Sequence, residues 1–151
     1  MSKRVHPYIA AYLDASKKVR WAEAHRKKLV ELGERAVGSY DLIDLRSADE
    51  AVSGLKMPGG DRNILRSYVE ARQIMDVVET AVNERMVSHQ DIAADIFLHG
   101  MGTGAAAKKH SVSRQWIYSL KKRGIEAVND EIMLRKAVGQ TLSSVFQHSL
   151  S

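Results

Sequence analysis

Apolar side chains recur at close to 3.6-residue spacing along most of this chain, and only two prolines interrupt its 151 residues. A helix places such positions on one face, whereas a strand needs strict alternation, so the pattern selects an all-α fold. From Pro7 to about Ala36 the periodic residues are Ile9, Leu13, Val19, Ala22, Leu29, Leu32 and Ala36, with Pro7 suited to a first helical turn. As one element this stretch is a helix roughly 45 Å long. Its stripe, which includes Trp21 and Leu29, then either pairs with a second copy or folds back as a helical hairpin.

Gly33, Gly38 and Ser39 mark the expected end of that helix, and Tyr40 to Arg46 fits either an extended segment or a helical turn. Ser47-Ala-Asp-Glu50 has the form of a capping box opening a short helix to Gly54. Leu55-Lys-Met-Pro-Gly-Gly-Asp61 is the strongest loop signal in the chain. The expected organisation is therefore an N-terminal helical, oligomer-forming region over 1–54, a Pro/Gly linker over 55–62, and a helical domain over 63–151.

After the loop, Ile64, Leu65, Tyr68, Val69, Ile74, Val77, Val78, Ala81 and Val82 form a helical stripe reaching about Met86. Ser88 is the expected N-cap of a further helix, with Asp91 in its first turn and Ile92, Ala93, Ile96, Phe97 and Leu98 as its apolar face. Asp91 and Asp95 share a face there and read as helix-start and solvation residues. Gly100, Gly102 and Gly104 follow, but without a preceding strand or a following Lys-Ser or Lys-Thr pair they read as a turn rather than a phosphate loop. From Ile125 to about Leu150 another amphipathic stretch either closes the core or supplies an oligomer contact.

Charge is unevenly placed. The net charge is +5, and residues 98–124 hold six basic side chains, Lys108, Lys109, Arg114, Lys121, Lys122 and Arg123, with no carboxylate among them. Uncompensated Lys and Arg attract phosphate at long range, so this block points to a polyanion.

Within the block, Thr103 to Lys122 (TGAAAKKHSVSRQWIYSLKK) fits the twenty-position helix-turn-helix template. Two helices crossing closely need a small residue at the fifth position, which is Ala107, and apolar wedges at Ala106, Val112, Ile117 and Leu120. Ser113 is placed to cap the second helix. Turning Ile117 and Leu120 inward leaves Ser113, Arg114, Gln115, Tyr118, Ser119 and Lys122 on the face that would enter a major groove. Arg114 suits guanine O6 and N7 and Gln115 suits adenine N6 and N7, while Lys108, Lys109, Lys121 and Arg123 suit phosphate oxygens. Two positions depart from the template: His110 stands where an aliphatic residue is usual and Ser111 where glycine is commonest, which predicts a longer or looser turn. Trp116 and Tyr118 can stack on single-stranded bases, although a Trp at this spacing more simply anchors a core or interface.

The order of these elements, and above all DIAADIFLHGMGTGAAAKKHSVSRQWIYSLKKRGIEAV, resembles the ArpU-type phage transcriptional regulators and, more distantly, region 4 of sigma factors. The resemblance covers roughly Lys56 to Val128. It implies a sequence-specific double-stranded DNA-binding protein controlling late phage genes, with RNA polymerase as a further partner and the helix carrying Ser113, Arg114, Gln115, Tyr118 and Lys122 as the recognition helix. Gly104 and Ala105 stand where that family often has a longer or acidic side chain.

Other function classes find less support. There is no cysteine, which excludes disulfide frameworks, thiolate metal sites and thiol nucleophiles. The six histidines show no paired ligand spacing, so no metal or other cofactor is expected and the chain does not read as an enzyme. No signal peptide and no run of ~18 apolar residues is evident, so a cytoplasmic protein without a membrane span is expected. The alternatives to a DNA-binding regulator are a helical adaptor or antirepressor without DNA contact, and a small terminase-like packaging subunit. In the latter the motif usually precedes the assembly region, whereas here it lies in the C-terminal half.

Overall fold

The computed structural model describes residues 5–38, 57–139 and 142–146. The alternating stretch at Tyr40–Arg46 and the capping box at Ser47–Glu50 lie outside the described residues, as do the start of the Pro/Gly loop and the last five residues. Within the described residues the chain is all-helical: α1 (Pro7–His25), α2 (Lys27–Gly38), α3 (Gly59–Thr80), α4 (Gln90–Phe97), α5 (Thr103–Lys109) and α6 (Arg114–Ala137). A π-helical turn (Ala81–Arg85) and a 3-10 turn (Val87–His89) lead from α3 into α4, and a second 3-10 turn (Ser144–Phe146) follows α6.

The periodic stretch from Pro7 to Ala36 is broken at Arg26, where the backbone leaves the helical region (φ −135°, ψ 56°) and the guanidinium pairs with Asp61 in the first turn of α3. Tyr12 lies at the other end of α3, its hydroxyl donating to Glu79 at 3.1 Å, so α1 runs antiparallel to α3. Burial and then the Glu79 carboxylate push the Tyr12 hydroxyl up to about 12, which keeps it a donor. Beyond the break α2 turns back across the first half of α3. Gly33 permits the crossing, because a Cβ there would lie 2.5 Å from the Tyr68 ring. Gly33 therefore sits inside α2 rather than ending a helix. Leu29 is buried within its own chain, so the expected pairing stripe is used internally, whereas Trp21 stays half exposed and stacks on His25.

One hydrophobic core runs from Tyr8 through the faces of α3 and α4 to Phe146. Two local expectations change inside it. Gly59 and Gly60 belong to the first turn of α3 behind Pro58, which shortens the loop. His89 rather than Ser88 precedes α4, and Ser88 makes no capping bond.

The largest difference concerns α6. The stretch expected to begin afresh at Ile125 continues the preceding helix without a break to Ala137. Gly124 is the residue that could have interrupted it, yet it lies buried against Phe97, where a Cβ would stand 2.2 Å from the ring. The first half of α6 buries Ile117 and Leu120, and the second half buries Val128 and Ile132. In that second half Arg135 is itself buried, donating from Nε to Glu131 at 2.7 Å, from one terminal nitrogen to Asp76 at 2.7 Å and from the other to Thr80 at 3.2 Å. Glu131 also accepts from Arg85 at 3.2 Å. A buried ion pair stripped of one partner leaves the other charge desolvated. Arg135→Ala should therefore lower the unfolding free energy by about 3 kcal/mol, read from denaturant midpoints at unchanged m-value; a change within error would mean the network is solvated in solution.

Candidate nucleic-acid interface

The segment from Thr103 to Lys122 folds as a short helix, a tight turn and the start of a long helix. Ala106 and Ala107 are both buried where α5 meets α6, facing Ile117 and Leu120, which are fully buried. Alanine at these positions lets two backbones approach closely. Val112 packs against the same core from the turn, its N–H donating to the Ala107 carbonyl at 3.0 Å. Ser113 has an extended backbone and its hydroxyl accepts from the Trp116 N–H at 3.0 Å, the expected N-cap.

Ser111 settles the question of turn length. It takes a left-handed backbone itself (φ 55°), the conformation glycine would adopt, so only His110, Ser111 and Val112 separate the end of α5 from the cap. The expected longer turn is not formed. A side chain at positive φ costs about 1 kcal/mol, so Ser111→Gly should raise stability by about 1 kcal/mol, seen as a melting temperature a few degrees higher; a lower one would mean that the serine hydroxyl contributes more than the backbone strain removes.

His110 is explained by a residue outside the motif. Asp95 of α4 is only 6% exposed, yet its two carboxylate oxygens accept from His99 Nδ1 at 3.0 Å, Lys109 Nζ at 2.8 Å and His110 Nε2 at 2.6 Å. The Lys109 hydrogen bond, followed by that from His99, holds its carboxyl far below the usual carboxylate range despite burial. Asp95 is thus not a solvation residue: it ties α4 to the last turn of α5 and to the turn before α6. Two expectations change accordingly. The basic block does have a neutralising carboxylate, brought from α4, and Lys109 spends its charge on it rather than standing free for a phosphate. No local signal in the sequence marks Asp95, because Asp91 shares its helix face one turn earlier and stands ahead of the same six cations.

The outer face of α6 carries Gln115 and Lys122 at its centre, Tyr118 and Ser119 beside them, and all four are exposed. Arg114 flanks this face, its guanidinium lying over Gly104 of α5 with a terminal nitrogen 3.2 Å from where a Cβ would be. Lys108, Lys122 and Arg123 are exposed cations. Lys121 is half-buried on the flank towards His6: burial first, and then the Lys121 charge, lower the His6 pKa. Trp116 is partly buried and meets the His89 ring edge-on at 4.9 Å, so it anchors the helix and is not offered for stacking, whereas Tyr118 is 60% exposed. Further along the same face stand Glu126 and Asp130, both exposed, which limits an anion-compatible surface to the first three turns of α6.

Among the described residues no group of histidines and carboxylates could hold a metal ion, and no helix is long and apolar enough to cross a membrane. Comparison with family models, with curated proteins and with solved structures returned no match for this chain.

Removing the Asp95 carboxylate leaves the largely buried His110 ring without its partner and unties Lys109 and His99 from it, so Asp95→Ala should destabilise the protein by about 2 kcal/mol. A depressed native pKa gives stabilisation that is complete above the unfolded value of about 4 and is lost as pH falls from there through the native value. The variant should lose less stability than the wild type between about pH 5 and 2, as followed by urea unfolding across that range. Parallel acid profiles for the two proteins would sink the assignment.

Proposed function

We propose that this chain is a double-stranded DNA-binding protein that recognises a specific sequence by laying the first three turns of α6 in a major groove and so regulates transcription. The observation that carries the proposal is the pairing of a tight three-residue turn with a polar, cation-flanked outer face on the helix behind it. Gln115, Tyr118, Ser119 and Lys122 are the base-facing side chains, while Ser113, at the helix start, and Arg114, leaning over α5, sit nearer one strand's backbone. Lys108 and Arg123 serve phosphates, and Lys109 and Lys121 contribute at longer range. Readout from the N-terminal turns of a helix suits this arrangement, because Glu126 and Asp130 would repel the backbone if the groove were followed further. The resemblance of residues 56–128 to ArpU-type regulators supports transcriptional control of phage genes and contact with RNA polymerase.

A second reading, a helical adaptor without DNA contact, draws on a different feature. Between α1 and α3 lies an apolar groove of about 480 Å³ lined by Lys17, Lys18, Trp21, Ala22, Ile64 and Tyr68 among others. Its chemistry suits an acidic, apolar peptide segment. Salt separates the two readings, since phosphate contacts release counterions and apolar burial does not.

Fluorescence anisotropy against promoter-region DNA and a scrambled duplex, at two salt concentrations, tests the proposal. Preference for one duplex with steep salt dependence is expected. Lys108→Ala should weaken binding to both duplexes and reduce the salt slope by about 1, whereas Gln115→Ala should erase about 10-fold of the preference. Absence of binding at low salt would overturn the DNA reading and favour the adaptor.

A further inference from the structure

Beside the outer face of α6 lies a small cavity walled by three separate stretches of the chain. Its volume is about 110 Å³, and it is lined by Arg85 and Met86 where the π-helical turn ends, Ser88 and His89 of the 3-10 turn, and Leu120 and Arg123 of α6. Met86 and Leu120 are buried and supply its apolar part. A space of about four water molecules, at ~30 Å³ each, admits one tetrahedral oxyanion and is too small for a nucleobase as well.

The polar side chains around it are all able to donate, and their donors are free of protein partners. Arg85 gives only Nε to Glu131, at 3.2 Å, which holds the guanidinium and leaves both terminal nitrogens without a partner among the described residues. The Ser88 hydroxyl makes no capping bond. The His89 ring is held edge-on by Trp116, and its nitrogens make no hydrogen bond among the described residues. Arg123 is exposed and forms no ion pair there, even with Glu126 three residues further along α6. The carboxylate behind the cavity, Glu131, is buried and already bound by both Arg85 and Arg135. The cavity therefore presents two guanidinium groups, a hydroxyl and an imidazole, with no carboxylate lining it.

We infer that Arg85, Ser88, His89 and Arg123 form a binding site for a single phosphate group, which on DNA is a backbone phosphate of the strand opposite the one Arg114 approaches. The DNA half of this inference rests on the proposed function, whereas the anion site does not. Its place round α6 assigns the strand. At about 100° per residue, Arg114 and Lys121 fall within about 20° of each other on one flank of the Gln115–Lys122 face, and Arg123 falls on the other flank with the cavity. A helix seated in a major groove has one phosphate backbone on each side. Charge-assisted hydrogen bonds from the two guanidinium groups supply most of the attraction, and the hydroxyl and imidazole orient the anion. Arg85, Ser88 and His89 precede the basic block, so the contact extends the interface to the turns that lead into α4.

Inorganic phosphate, titrated against chloride at constant ionic strength into isotope-labelled protein and followed by NMR, tests the site without DNA. Saturable shifts centred on Arg85, Ser88, His89 and Arg123 are expected, and Ser88→Ala with Arg123→Gln should remove them. Arg85→Ala would leave Glu131 short of a partner, so these two exposed positions carry the test. Absence of the shifts overturns the site. On DNA, methylphosphonates replace the backbone phosphates one at a time. Neutralising one phosphate, on the strand facing the cavity, should weaken wild-type binding about 10-fold. The same replacement should leave the Ser88→Ala, Arg123→Gln protein unaffected, while other phosphates keep their effect on it. Duplex binding with no phosphate coupled to these residues would overturn the backbone assignment and leave free phosphate as the ligand. Failure to bind any duplex would overturn the functional proposal, and the phosphate titration then decides the site by itself.

Discussion

A single buried carboxylate holds the cationic end of this protein in place. Asp95 comes from a helix whose neighbouring side chains are apolar, and its two oxygens gather Lys109, His110 and His99 at a point where α4, the end of α5 and the turn into α6 converge. A charge in that position is tolerated because both oxygens find donors, a lysine ammonium and two imidazoles between them. The direction of the first residues of α6 depends on that turn, so the outer face of the helix is positioned from behind by an ion pair and from below by Ile117 and Leu120.

Much of this was legible in the sequence. Helical periodicity gave the all-helical class, and the positions of Ala106, Ala107, Val112, Ile117 and Leu120 matched the requirement for a close helix crossing before any contact was known. The serine cap at Ser113 follows from chemistry that acts over three residues, which is why it was readable. What escaped was long-range. Nothing local distinguishes Asp95 from Asp91, which is exposed one turn earlier; only the fold brings Lys109 and His110 to one of them and not the other.

The helix boundaries failed for the same reason. Arg26 carries no breaker signal, and the chain bends there because Asp61 and the surface of α3 reward the bend. Gly124 does carry one, just ahead of the stretch expected from Ile125, yet the Phe97 ring occupies the space a side chain would need, so glycine here is a packing choice within a continuous helix. Ser111 shows the converse: an unfavourable residue at a turn did not lengthen it, because the packed alanines and the Asp95 bonds fix the chain on both sides at a modest local cost.

The continuity of α6 has a mechanical consequence. The outer face of Gln115 and Lys122 belongs to the same rod as Arg135, whose end is gripped by Asp76 and Thr80 of α3 some five turns away. With no hinge between the two ends, a small rotation of α3 against α6 becomes a sideways displacement of the outer face, amplified by the length of the lever. Side chains deep between α1 and α3, remote from any ligand of that face, thereby acquire control over where it points.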